Sequence, residues 1–435
     1  MLLLFWNLCL GLLARYAPDR SRGWLRWLAP LACFGLPPYT PLERLAAMSV
    51  FLLFALKASV LLGRPRAYVA ALDGRGLLLY FSLWPGVDPA PFERRQALEF
   101  PLRWFVQGWT TMIVSAVAVG TLAACGRLNG WGMLFGLLGF VHLGYSDVLS
   151  ALLRLAGFPV RRLFDNPLAS DGLRDFWSRR WNRPFVDLNR LLLVGRQRVL
   201  AGFVVSGLLH EAALSFPVLS GWGGPLGYFV LQYLGMQLEG AWLSGWRRRL
   251  WTWAWVLLPL PGLFQAPFHQ AFLEPLARMV PVIGLGFLLS CAGWGHFLVL
   301  GAGLQVPWRL GWREELSRLR PLNRKLLWVY YGYIGAFILT FGCVILGLHD
   351  QMLAGERGAL TLLGIITVFW TARILVDALV FEHSDWPEGP LFGIGHTLLT
   401  SLFVFVALTG WLVLLSVVSF PEFENTFSGC RFWGI

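Results

Sequence analysis

Residues 326–348 read LLWVYYGYIGAFILTFGCVILGL, without one charged side chain. At 1.5 Å per residue in a helix, such a run matches a bilayer's hydrocarbon thickness of roughly 30 Å. Lipid offers no partner to backbone N–H and C=O groups, so a spanning run bonds to itself as a helix. Gly284–Leu304, Phe392–Phe420 and, interrupted by His210-Glu211, Val204–Leu219 are further apolar runs. The composition agrees: 57% of residues are hydrophobic and 14% charged, where soluble domains carry about 25% charge. The mean hydropathy is +0.60. The 23 Trp residues gather near the ends of apolar runs, as a membrane interface favours. The expected fold is all-α and polytopic, with roughly 10–12 transmembrane helices.

Spans are predicted near 1–14, 27–42, 44–62, 104–125, 129–157, 199–219, 225–245, 251–265, 280–303, 327–349, 358–381 and 392–418. Leu77–Pro85 is too short to span and reads as re-entrant or interfacial. With the N-terminus outside, the loops 15–26, 63–103, 158–198, 246–250 and 304–326 face the cytoplasm and hold most of the arginines. The loop 382–391 is the acidic exception. The net charge of +12 therefore follows membrane orientation, and nucleic acid is not an expected partner. The six cysteines are scattered without CxxC spacing and read as small apolar residues. No basic region precedes Met1–Leu13, so a cleaved signal peptide is not expected. The polar stretch Gln305–Lys325 sets off a last bundle of three spans. Heavy arginine use points to a bacterial inner membrane, with the endoplasmic reticulum membrane as the alternative.

Residues 165–216 stand apart: DNPLASDGLRDFWSRRWNRPFVDLNRLLLVGRQRVLAGFVVSGLLHEAALSF. Leu173, Phe176, Trp177 and Trp181 recur at helical spacing, with Arg174, Arg179 and Arg183 largely off that stripe and Arg180 near it. Ser170 or Asp171 could cap this helix. It reads as an amphipathic helix on the membrane surface, aromatic side down. Its arginines either orient the protein or bind an anionic head group, since guanidinium forks take phosphate oxygens in pairs. The span that follows is apolar except for Ser206, His210, Glu211 and Ser215. An ionisable pair in mid-membrane is costly and points to function. His210 lies roughly 16 Å past the cytoplasmic end of the span, near the bilayer centre. Imidazole can serve there as a general base, or simply bond a neighbouring helix. Glu211 projects about 100° away and is not assumed to hold the imidazole.

The pattern NPL…LRDFWSRRWN over 166–182, followed by His210-Glu211, resembles the wax-synthase branch of the membrane-bound O-acyltransferases. FQAPFHQAFLEP, within Leu263–Pro275, resembles a Phe-His-Pro-Pro-Phe element of that branch, with Gln265 where the pattern has His and His269 after Phe268. The resemblance covers roughly residues 40–285. It divides the chain into an acyltransferase-like core, 1–285, and a C-terminal transmembrane module of unknown role, 286–435. It implies transfer of a fatty acyl group from acyl-CoA, as co-substrate, to a lipid alcohol, foremost a long-chain alcohol; no cofactor is implied. His210 and Asn182 would be catalytic, as general base and as amide donor to the developing charge. Phe176, Trp177, Arg179, Arg180, Trp181 and Glu211 would bind substrate. A sterol, diacylglycerol or glycan acceptor is the alternative, and a non-catalytic lipid transporter or an inactive scaffold are the competing classes.

Other polar residues in spans have plainer readings. Asp147 is expected to bond a neighbouring helix. Glu239 is expected to face the cytoplasm. Arg373 and Asp377, four apart, can pair on one helix face. No metal site is expected, and His383 with Glu382 and Asp385 is a weak ligand set. No phosphate-binding glycine loop and no GxSxG element is present.

Overall fold

Apolar runs flanked by arginines and tryptophans fold as helices, and in the computed structural model all regular structure among the described residues is helical. The described residues are 2–31, 40–124, 126–192, 198–240, 242–280, 284–382, 387 and 389–419. They form two compact units, Met1–Arg278 and Met279–Ile435. Seven of their helices are long and apolar enough to cross a membrane, and the chain is a multi-pass membrane protein.

The first unit opens with α1 (Leu2–Tyr16) and α2 (Asp19–Leu31). The span expected over 27–42 is not seen as such: α2 starts at Asp19, inside the expected loop, and 32–39 lie outside the described residues. Arg22 on α2 is buried and donates to the carbonyls of Ala14, Ala17, Leu61 and Arg64. It thus closes the free carbonyls at the ends of two helices. The second of these is α3 (Pro41–Leu62), long and apolar enough to cross a membrane. Thr40-Pro41-Leu42-Glu43 starts it with a reciprocal capping box and a proline in the first turn. Lys57 of α3 is fully buried and donates to the carbonyls of Tyr80 (2.6 Å) and Trp84. These follow from α4 (Gly74–Ser82), the short element expected at 77–85, whose carbonyl end attracts a cation.

Two long spans follow, α5 (Leu102–Ala124) and α6 (Gly130–Leu155). Next come the helical turns of 173–180, then α7 (Arg183–Leu192), α8 (Arg198–His210, continued by a π-turn over Glu211–Ser215), α9 (Gly224–Leu238) and α10 (Gly245–Leu257). The spans expected over 1–14, 225–245 and 251–265 are helices of 15, 15 and 13 residues. Each is shorter than the roughly 20 residues of a full crossing.

The second unit holds α11 (Leu285–Leu304), α12 (Pro321–Gly347), α13 (Arg357–Leu379) and α14 (Pro390–Ser419). Its core packs Leu289, Ile345, Trp370 and Phe403. Trp370 Nε1–H donates to His296 Nε2 at 2.9 Å, and the other ring nitrogen of His296 faces the Ala292 carbonyl at 2.7 Å. His296 is therefore a fully satisfied core histidine. Arg373 bonds Asp377 at 3.2 Å, four residues on, and Thr400 donates to the other oxygen of Asp377. The outward faces carry Phe337, Leu339 and Ile365, exposed where lipid surrounds the bundle. His383 and Asp385 lie outside the described residues.

Candidate functional site

The segment after α6 is built as a knot of charges around a tight loop. Asn166 and Asn182 both take left-handed backbone angles, φ 46° and 44°. Among residues with a side chain, Asn tolerates that conformation best. Between them, the Asp165 N–H donates to the Arg180 carbonyl and the Arg183 N–H to the Leu163 carbonyl. Asp147, near the end of α6, receives a two-pronged bond from Arg162. Arg162 and Arg183 both approach Asp165, at 3.7 and 3.6 Å. Asp147 therefore bonds the following loop and not a neighbouring helix.

Residues 173–180 form one α-turn running into a π-turn, Phe176–Arg180. Its expected stripe is present but faces protein instead of lipid. Leu173 and Phe176 are buried with Met236 and Val256, and Trp177, Trp181, Phe203 and Trp253 close around them. Phe176 is 2% exposed and is a core residue. Neither Ser170 nor Asp171 caps the turn. The first two N–H groups, of Leu173 and Arg174, donate to the Glu239 carboxylate at 3.1 and 3.0 Å. Glu239 is buried and also meets Arg248 at 3.2 Å, so it does not face the cytoplasm as expected. Gly172 allows this approach, because a Cβ there would lie 2.2 Å from Glu239 Oε1.

The two arginines singled out for phosphate binding are differently employed. Arg180 Nε bonds Asp175 at 2.5 Å and its Nη1 donates to the Asn166 carbonyl. Arg179 is exposed, and no hydrogen bond or ion pair engages it among the described residues. A different set of arginines, Arg161, Arg162, Arg183 and Arg190, lines a cavity of about 460 Å³ together with Asp88 and Asp187. Burial and the nearby Asp88 push the Asp187 carboxyl above its ordinary range. The sequence signal for this cavity was arginine beside proline on both sides of the motif, Pro159–Arg162 and Arg183-Pro184.

His210 ends the α-helical part of α8. Its Nδ1 lies 2.7 Å from the Ser206 carbonyl. A carbonyl only accepts, so Nδ1 carries the proton and the neutral ring keeps its lone pair on Nε2. No hydrogen bond engages Nε2 among the described residues. The ring contacts Phe229 at 4.5 Å between centroids. From Phe229 a chain of aromatic contacts runs through Trp177 (5.7 Å), Phe176 (5.0 Å) and Trp181 (5.4 Å) to His142 (6.5 Å, parallel). His142 also meets Phe164 edge to face, 5.5 Å between centroids. One run of ring contacts thus links His210 to Trp177 and Trp181, with Asn182 next in the chain. The run ends on His142 of α6. His142, Trp177 and the residue after His210 all sit in π-turns, which gather at functional sites.

Glu211 is bound to backbone through one of its two oxygens. Its Oε1 accepts from the N–H groups of Gly223 (2.9 Å) and Leu226 (3.1 Å) at the start of α9, and its Oε2 is buried without a partner. Gln265 donates to Ser215 in the π-turn after His210, at 3.3 Å. His269 is buried against Trp131, its Nε2 without a partner, beside Glu274, which accepts from the Gly130 N–H. Among the described residues, no group of three or more His, Cys, Asp or Glu could hold a metal ion. In comparisons with known proteins, no family model, no curated protein and no solved structure matches the chain.

Proposed function

We propose that this protein is a membrane-bound O-acyltransferase that moves a fatty acyl group from acyl-CoA to the hydroxyl of a lipophilic alcohol, foremost a long-chain alcohol. The observation that carries the reading is His210: a neutral imidazole inside an apolar helix, its proton held on Nδ1 by the Ser206 carbonyl, its Nε2 unengaged. Nε2 takes the alcohol proton as the oxygen attacks the thioester carbonyl. The tetrahedral oxyanion is met by an amide donor, a role suited to Asn182. The carbonyl then re-forms, the C–S bond breaks, and the imidazolium returns its proton to the departing thiolate. Exclusion of water by the surrounding lipid and protein disfavours hydrolysis of the thioester.

Two surroundings support the choice of substrates. Phe203, Tyr228, Phe229 and Trp177 pack together beside His210, an apolar lining suited to an alkyl chain and not to a glycan. The cavity with Arg161, Arg183 and Arg190 lies next to Asn182 in the chain and suits the phosphates of coenzyme A. The resemblance of 166–182 and of His210-Glu211 to the wax-synthase pattern points the same way. The test is purified protein with labelled palmitoyl-CoA and a panel of long-chain alcohols, sterols and diacylglycerol. A labelled ester with a long-chain alcohol is expected. Acyl-CoA binding with no ester from any lipid alcohol would overturn the proposal.

A further inference from the structure

We infer that α9 is a strut setting the distance between His210 and the Trp181-Asn182 loop, and that Glu211 and Glu239 are positioning residues at its two ends. The inference rests on the acyl transfer proposed above. At one end, Glu211 directly follows His210 and holds the Gly223 and Leu226 N–H groups. At the other end, Glu239 follows the last turn of α9, and its carboxylate takes the first two N–H groups of the 173–180 segment. Both carboxylate side chains are buried. Each is thus committed to free amides at a helix start, where a negative charge is most stabilised.

The body of the strut is fastened to the same two partners. Phe229 lies against His210, and Gln232 accepts from Trp177 Nε1 (3.1 Å) while donating to the Trp255 carbonyl (2.6 Å). Gly235 lets Leu173 and Trp255 rest on the helix backbone, since a Cβ there would lie 2.8 and 2.6 Å from them. Fifteen residues of α-helix make a rigid member of about 22 Å. No hydrogen bond joins either carboxylate to His210 or Asn182 among the described residues. Their effect is to keep two groups from distant parts of the chain in register, where a displacement of about 1 Å can cost 100-fold in rate.

The experiment combines kinetics with hydrogen exchange of the full-length protein in detergent. Glu211→Ala and Glu239→Ala should each lower kcat by about tenfold or more, with KM for palmitoyl-CoA within about twofold. Glu211→Gln and Glu239→Gln, which keep a carbonyl acceptor, should recover most of that loss. Exchange should rise about fivefold to tenfold at Gly223 and Leu226 in Glu211→Ala, and at Leu173 and Arg174 in Glu239→Ala. In a cycle with Phe229→Ala, Glu211→Ala should add little further loss, because both act through the same helix. Unchanged kcat in both alanine variants, or strict additivity in the cycle, would overturn the inference. If the wild type makes no ester, the acyltransferase reading fails, and exchange alone judges the strut: no rise at either end refutes it.

Discussion

At the scale of single residues, Asn182 has two separate reasons to be asparagine. Its backbone is left-handed, and its amide is a candidate donor to the reacting carbonyl. Asn182→Gly separates them, because glycine keeps the backbone angle at no steric penalty and removes the amide. The expected outcome is a protein of unchanged melting temperature whose kcat falls by about 100-fold, the loss typical of one oxyanion donor. Full activity in that variant would leave asparagine with the turn alone. Asp187 makes a pH prediction. Its carboxyl sits above the ordinary range, so it takes up a proton at a higher pH than a free aspartate. As pH falls through that raised value the cavity loses a negative charge, and KM for acyl-CoA should fall with it. Asp187→Asn should hold KM low and flatten its pH dependence. A steeper dependence would contradict this.

At the scale of elements, the apolar stripe of 173–181 was legible, but its partner was not. Periodicity shows which face avoids water, and a bilayer and a protein interior satisfy it equally well. The segment found protein, Met236 and Val256 among others, because Glu239 clamps its first turn to α9. The arginines need the packing for a related reason. Composition counts guanidinium groups without showing which are already paired, and Arg180 is held by Asp175. His210 could be read from the chain as an ionisable residue in an apolar helix. His142 could not, since only the packing of α6 against the loop brings it beside Trp181. The arginine cavity gives a test at this scale. Arg161→Ala and Arg190→Ala should each raise KM for acyl-CoA by about tenfold, the equivalent of roughly 1.4 kcal/mol. Arg179→Ala should change it less than about twofold. The reverse order in titrations of acyl-CoA binding would return the phosphates to the motif helix.

At the scale of the whole molecule, the membrane class was written in length and composition, and seven helices meet both demands. The helices expected over 225–245 and 251–265 stop short of their expected ends, at Leu238 and Leu257. Sliding a span along the sequence treats every apolar residue as lipid-facing, whereas α9 and α10 bury Gln232 and Thr252 inside the first unit. In the second unit the buried pair His296 and Trp370 explains itself as packing. Lipid is as apolar as that core, so Trp370→Ala forfeits packing and one hydrogen bond but little transfer energy. A loss of about 1–3 kcal/mol is expected, against the larger penalty of a water-soluble core. Thermal unfolding in detergent measures it, and an unchanged midpoint would contradict the packing role.

The proposed reaction turns on His210 as the base, and ester formation by His210→Gln against wild type tests it most directly. Glutamine keeps a polar side chain of similar reach but has no lone pair able to take a proton near neutral pH. The prediction is labelled long-chain ester from the wild type and none above background from the variant, with equal acyl-CoA binding and equal melting temperature. Ester formed by the variant at a comparable rate would contradict it.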